Sequence, residues 1–282
     1  MSTKTKYVRP FLKWAGGKYR ILPKIHQRLP KGKRLVEPFV GSGVVFLNTH
    51  FDAYLLADIN PDLIDLYKVI QKEGTAFIDH AASYFDGSHN TEELYYSLRA
   101  QFNTMPCSED KGAIFLYLNR HGYNGLCRYN KSGEFNVPYG RYVKPYFPRK
   151  ELLHFHQIAQ RAEFICCGFE QSMDAAQEGD VYYCDPPYVP LNVTSSFATY
   201  YSDGFCYSNQ ELLAQKAEFL GKKGIPVLLS NHLNDYIVKT YHQADIYSFE
   251  VQRFISCKGE QRNSVKEVLA LYGKSNIIKH HK

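Results

Sequence analysis

The sequence predicts an α/β fold: an open, largely parallel sheet with helices on both faces and a mainly helical segment inserted into it. Three observations carry this expectation. A strand, a glycine turn, a helical stretch and a second strand follow one another between residues 34 and 59. Helical periodicity then takes over from about residue 75 to 150. Strand-like apolar runs resume at Glu163 and recur to Tyr272.

Arg34–Phe39 reads as a strand that runs into Gly41-Ser42-Gly43, and Val44–Thr49 opens a helix. Tyr54–Ile59 is a second apolar strand, ending at Asp58. Asn60 and Pro61 then suit the N-cap and first position of a helix through Asp62–Gln71. Glu92–Phe102 and Lys111–Asn119 have helical spacing. The stretch HGYNGLCRYNKSGEFNVPYGRY, residues 121–142, has the glycine and asparagine content of loops and a β-hairpin. The sheet pattern returns at Glu163–Cys167, Asp180–Cys184, Ile225–Asn231, Asp245–Val251 and Ser264–Tyr272, with a helix over Gln210–Leu220. Asn192–Phe205 is a Ser/Thr/Tyr-rich loop. Residues 1–70 and 151–282 therefore form one domain, and 71–150 an insertion into it.

Composition narrows the function. The chain has 282 residues, 44% of them hydrophobic, which is globular and too apolar for disorder. No stretch is long enough to span a bilayer, and no apolar signal region follows the basic N-terminus. Seven cysteines without paired CxxC spacing argue against a zinc site or disulfide framework and suit a reducing compartment. Cys166–Cys167 reads as a buried pair ending a strand, and Asn192-Val193-Thr194 as a chance glycosylation match. Eleven Lys/Arg and no acid lie between Met1 and Arg34, and seven Lys/Arg face only Glu134 between Arg120 and Lys150. Basic segments interleaved with tyrosines suit a polyanion, most simply nucleic acid, although a solvated basic face has the same pattern.

Three motifs carry chemistry. In EPFVGSG, Glu37–Gly43, closely spaced glycines let a ligand approach the backbone at a strand end. Asp58 follows Gly41 by 17 positions at the next strand tip, which suits a carboxylate gripping ribose hydroxyls. FLKWAGGK, Phe11–Lys18, lacks phosphate-loop spacing, and its Trp14, between two lysines, fits a polar pocket rim. In YYCDPPY, Asp185 ends a buried strand, where ligands of open α/β sheets gather. Asp185 can accept a hydrogen bond from an exocyclic amine, carbonyls of the Pro186–Pro187 turn stand free for its second proton, and Tyr188 can stack on a planar ring. Two acceptors on the amine of adenine or cytosine would localise its lone pair as it attacks an electrophile.

Together these motifs resemble the Dam family of DNA adenine-N6 methyltransferases. The likeness also covers VEPFVGSGVVFLN (36–48), LADINPDLI (56–64), LYLNRHGYNGLCRYN (116–130), GEFNVPYGRY (133–142) and VYYCDPPY (181–188). It implies a Rossmann-like methyltransferase sheet with an inserted DNA target-recognition domain. The implied reaction transfers a methyl group from S-adenosyl-L-methionine to adenine N6 in double-stranded GATC after base flipping, with no metal. Trp14, Lys18, Phe39, Gly41, Ser42, Gly43, Asp58 and Asp185 would line the cofactor pocket. Asp185, Pro186, Pro187 and Tyr188 would hold the target adenine. Tyr123 would enter the base stack, with Asn124 bonding nearby. Lys13, Arg128 and Tyr142 would read bases, Arg128 by a bidentate grip on guanine. Leu126 and Pro138 would touch a thymine methyl, and Arg99, Arg120, Asn130 and Asn136 would contact phosphates. The chain departs from the family pattern at His121, read as a surface or stacking residue, and at Val143, where a cation is missing. The resemblance implies a monomer acting on DNA in the bacterial cytoplasm.

Overall fold

The computed structural model describes residues 7–188, 205–252 and 264–273. The loop foreseen at 192–205 and the chance sequon fall almost entirely outside them. In chain order the elements are α1 (Leu22–Arg28), β1 (Arg34–Glu37), β2 (Ala53–Asp58), α2 (Pro61–Glu73), α3 (Thr75–Ala82), α4 (Glu92–Thr104), α5 (Glu109–His121), α6 (Arg149–Ala159), β3 (Ala162–Cys166), α7 (Phe169–Asp174), β4 (Asp180–Cys184), α8 (Tyr207–Lys222), β5 (Val227–His232), α9 (Asp235–Thr240), β6 (Asp245–Gln252) and β7 (Ser264–Tyr272). Among the described residues no helix is long and apolar enough to cross a membrane. By contacts the chain forms two compact units, one of Met1–Arg20, Val40–His50 and Asp58–Cys166, the other of Ile21–Phe39, Phe51–Ala57 and Cys167–Lys282. Residues 71–150 lie wholly in the first unit, which also takes in the glycine loop and the N-terminal motif.

The second unit is built on the sheet. β1 pairs in parallel with β2 and β4, and β4 with β5; β7 runs antiparallel to β5 and β6. The order β2-β1-β4-β5-β7-β6 reverses direction between β1 and β4, the switch point beside which open α/β sheets bind ligands. Every residue of β4 and β5 is buried, as parallel strands covered on both faces require. A two-pronged pair, Arg34 Nε and Nη2 to the Asp180 carboxylate at 2.8 Å each, ties the starts of β1 and β4. β5 outruns β4: their pairing ends at Cys184–Leu229, whereas Ser230, Asn231 and His232 continue against β7.

The first unit is mainly helical, and its helices begin where the side chains say they should. Asn60, Thr91 and Ser108 each accept a backbone N–H in the first turn of α2, α4 and α5. α5 is buried from Gly112 to Asn119, so it is the central helix around which the others pack. Phe102, Phe115 and Phe135 form one aromatic cluster of its core.

Four expectations are corrected. Val44–Thr49 holds only a single 3₁₀ turn, Phe46–Asn48, because Asn48 and Thr49 turn their side chains onto preceding carbonyls. The hairpin at 121–142 is reduced to two isolated antiparallel bridges, Gly122–Tyr139 and Tyr129–Phe135. Side chains of α4 supply the bonds a ladder would have made. Asn103 takes both the N–H and the carbonyl of Phe135 at 2.8 and 3.1 Å, and Tyr95 and Arg99 both donate to the Val137 carbonyl at 3.0 Å. Cys166 is exposed and Cys167 half-buried, because Cys166 ends β3 beyond its one buried residue, Phe164. Of the two readings of His121, the surface one falls, since it is 1% exposed, and the stacking one holds, since its ring stacks on Tyr117 at 3.8 Å.

Candidate active site

β4 delivers the Asp-Pro-Pro-Tyr turn to the carboxyl end of the sheet. Ser230 Oγ, on the overhanging part of β5, donates to Asp185 Oδ1 at 2.7 Å and fixes the carboxylate. The Tyr188 ring meets His232 edge-on at 4.6 Å. Burial, then the neighbouring Asp185 and Glu267 carboxyls, push the Tyr188 phenol well above its ordinary range, so it stays protonated. The two proline carbonyls do not both stand free as expected. Gln210 Nε2, from the buried face of α8, donates to the Pro187 carbonyl at 2.8 Å. Ser230, Gln210 and Asn231 went unnoticed in sequence, although the polar end of the otherwise apolar VLLSNH strand was a signal.

The glycine loop and Asp58 lie together in the first unit. Asp58 Oδ2 accepts the Gly41 N–H at 3.1 Å, and Oδ1 accepts the Asn60 N–H at 3.0 Å. Burial holds the Asp58 carboxyl above its ordinary range, and these backbone donors oppose it only in part. Gly41 and Gly43 have φ of 46° and 67°, a left-handed backbone that suits glycine. A Cβ on Gly41 would sit 2.9 Å from Trp14 Nε1, so the indole lies directly against the loop. The Tyr67 hydroxyl, another residue missed, caps the Gly41 carbonyl at 2.5 Å. Lys18 is buried and donates to the Gly16 carbonyl at 2.6 Å, and Ser42 is buried in the loop. Ile59, directly after Asp58, is 79% exposed, a large apolar side chain left open beside a carboxylate. Phe39 lies in the second unit, packed against Phe169 and Phe205.

The residues expected to meet DNA cluster in the first unit, and most are held by neighbours. Asn119, buried in α5, accepts the Lys13 N–H at 2.9 Å and donates to the Lys13 carbonyl at 2.8 Å. Burial, then Arg120, lower the Lys13 ammonium, which lies 4.3 Å over the Tyr142 ring. A Cβ on Gly125 would fall 2.1 Å from Lys13 Cδ, so only glycine fits there. Asn124 adopts φ 54°, and its N–H donates to the Tyr142 hydroxyl at 3.0 Å, leaving Tyr123 48% exposed at the tip. Arg128 donates from Nε to Asn136 Oδ1 at 2.7 Å and from Nη2 to the Asn136 carbonyl at 3.1 Å. Arg120 donates to the Tyr146 carbonyl, and Asn130 to Glu134 Oε2. Arg99 lies over the Tyr96 ring, Leu126 is half-buried, and Pro138 and Val143 are exposed.

Comparison with known proteins bears on all three clusters. The profile of the family described as D12 class N6 adenine-specific DNA methyltransferase matches residues 14–255, which include the glycine loop, Asp58, the 121–142 loop and Asp185–Tyr188. A DNA adenine methylase of Escherichia coli (strain K12) is 50% identical over 264 residues, covering 94% of this chain and 95% of that protein. The DNA adenine methylase of Vibrio cholerae serotype O1 (strain ATCC 39541 / Classical Ogawa 395 / O395) is 48% identical over 268 residues, covering 95% and 97%. Likeness of that depth, over nearly the whole chain and through the glycine loop, the 121–142 loop and the Asp-Pro-Pro-Tyr turn, makes this chain a member of the D12 class of N6 adenine-specific DNA methyltransferases.

Proposed function

We propose that this adenine methyltransferase acts on N6 of adenine in double-stranded GATC, with S-adenosylmethionine as donor and the target base flipped from the duplex. The observation that carries the reading is the Asp185 carboxylate, fixed by Ser230 at 2.7 Å on the turn that bears Tyr188. An adenine amine is a weak nucleophile while its lone pair is delocalised into the ring. Asp185 accepts a hydrogen bond from one amine proton and orients the lone pair as charge develops. Because Gln210 occupies the Pro187 carbonyl, the Pro186 carbonyl is the acceptor for the second proton. Tyr188 supplies a stacking face, which a base can reach only outside the duplex.

The donor chemistry of the glycine loop fits S-adenosylmethionine. Ribose hydroxyls are donors and Asp58 is an acceptor whose orientation Gly41 and Asn60 fix. Trp14 against Gly41 and the open Ile59 side chain offer apolar surface for the adenosine, and the Lys18 and Ser42 side chains lie within the same unit. When bound, this donor supplies a methyl group on a sulfonium, an electrophile already activated without a metal. Segment 71–150 reads the DNA, Tyr123 fills the gap left by the flipped base, and a single copy of the chain suffices.

The test methylates a plasmid and digests it with GATC-cutting enzymes that differ in sensitivity to N6-methyladenine. Wild-type protein should protect every GATC site in a donor-dependent way. Asp185→Ala should abolish protection while duplex binding, read by fluorescence anisotropy, stays within about twofold. Full protection by that variant would sink the mechanism; protection of a different site would sink the specificity.

A further inference from the structure

Behind the Asp-Pro-Pro-Tyr turn, Gln210 belongs to a chain of buried polar side chains. Gln210 and Asn231 are both 0% exposed, and so is Tyr241. Hydrogen-bond roles along this chain are determined by its ends. Asn231 Oδ1 accepts the His232 backbone N–H at 2.9 Å, so Asn231 Nδ2 must be the donor to Gln210 Oε1 at 3.2 Å. The Tyr241 hydroxyl donates to the same Gln210 oxygen at 3.1 Å. With Oε1 held by two donors, the Gln210 amide can turn only its Nε2 toward the Pro187 carbonyl, 2.8 Å away.

That carbonyl belongs to the peptide plane joining Pro187 to Tyr188. Its direction therefore sets where the Tyr188 ring begins. Proline fixes φ at 187 but leaves ψ open, so the stiffness of the turn stops one bond short of the tyrosine. Gln210 closes that last degree of freedom. Successive residues of β5 then grip the two ends of the turn: Ser230 holds Asp185 directly, and Asn231 holds Tyr188 through Gln210.

We propose that Gln210 is a positioning residue for the transfer step, locking the Pro187–Tyr188 peptide through the Asn231 and Tyr241 donors. The inference rests on the reading of the Asp-Pro-Pro-Tyr turn as the base-holding site. A buried, hydrogen-bonded amide network is a costly way to stabilise a helix–sheet contact that an apolar side chain would serve, but a direct way to fix one dihedral.

The test compares wild type, Gln210→Met, Tyr241→Phe and Asp185→Ala in single-turnover methylation, donor and duplex binding, thermal unfolding, and fluorescence of 2-aminopurine at the target position. Gln210→Met keeps the volume and removes the donor. It should lower the single-turnover rate about ten- to a hundredfold, as a small misplacement of a reacting group does. Donor and duplex affinities should stay within about twofold, and 2-aminopurine should still brighten, since the base leaves the duplex but is held loosely. Tyr241→Phe should lower the rate a few-fold in the same pattern. If Gln210→Met does not fold, Tyr241→Phe alone decides. An unchanged rate in the folded variants overturns the proposal. So does a loss of rate, affinity and melting temperature in parallel, which marks a merely structural role. Full activity of Asp185→Ala would instead overturn the underlying reading of the site, whatever Gln210 does.

Discussion

Arg128 shows how much a single side chain's role depends on what holds it. A free guanidinium is a mobile cation that attracts any phosphate. Here Asn136 takes Nε and Nη2 of the fork, so the guanidinium plane is set before any DNA arrives. The resemblance assigns Asn136 to a phosphate; its two oxygens orient Arg128, and its Nδ2 amide is the donor such a contact would use. A preset plane is what bidentate recognition of guanine needs and what phosphate attraction does not. Arg128→Ala should therefore reduce discrimination at one base pair by roughly 1–3 kcal/mol while leaving binding to unrelated duplexes nearly unchanged. Arg128→Lys should not restore it, because an ammonium is a point charge. Binding constants for a set of single-base-pair variants of the site check this, and an equal loss on all of them would make Arg128 a phosphate contact.

At the scale of elements, the 121–142 loop is held by its own backbone bonds, such as the Tyr123 N–H to Pro138 and the Asn136 N–H to Arg128, and by α4 and α5. Tyr95, Arg99 and Asn103 recur at four-residue spacing on one face of α4 and bond the backbone of residues 135 and 137. α5 ends in His121, whose Nδ1 lies 3.0 Å from the Tyr117 carbonyl one turn back. Burial pushes this imidazole down to about 4, with Arg120 adding to the effect and the Tyr117 bond opposing it. A folded pKa below the unfolded one means the neutral ring's contribution is whole above the unfolded value. It is lost as pH falls from about 6.5 toward 4, by about 1–3 kcal/mol in all. His121→Phe keeps the stack on Tyr117 and removes the titration. Thermal unfolding at a series of pH values should show wild type more stable near neutrality and the gap closing or reversing as pH falls; parallel curves would acquit His121. The loop illustrates what the sequence could and could not disclose. The cap at Asn60 was legible because it acts within one turn. Asp58 and Asp185 were legible because a polar residue closing an apolar run marks a strand tip. The bonds from Asn119 to Lys13, 106 residues away, and from Gln210 to Pro187, 23 away, depend on packing and have no local signature. The hairpin was misjudged for the same reason: the loop's own chemistry is that of a ladder, but α4 reaches its backbone first.

Across the whole molecule, charge is divided unevenly. The first unit carries 18 Lys/Arg against 13 Asp/Glu, and the second 16 against 15, so +5 of the net +6 resides in the first unit, with the residues expected to meet DNA. Binding to a polyanion releases one condensed counterion for roughly each phosphate neutralised, and the salt dependence of affinity counts those contacts. The second unit, nearly neutral, should therefore contribute little to the salt slope even though it bears the Asp-Pro-Pro-Tyr turn. Lys144, exposed in the loop that follows Tyr142, and Lys239, exposed on α9, make a matched pair for the test. Each substitution to glutamine removes one charge without burying or exposing apolar surface. Lys144→Gln should weaken duplex binding on every sequence alike and make the slope of log affinity against log salt shallower by about one unit or a fraction of it. Lys239→Gln should leave both the slope and the affinity at their wild-type values. If instead the two variants shift the slope equally, the net charge of the chain as a whole governs its attraction to DNA. The concentration of that charge in the first unit would then have no part in orienting the 121–142 loop toward the duplex.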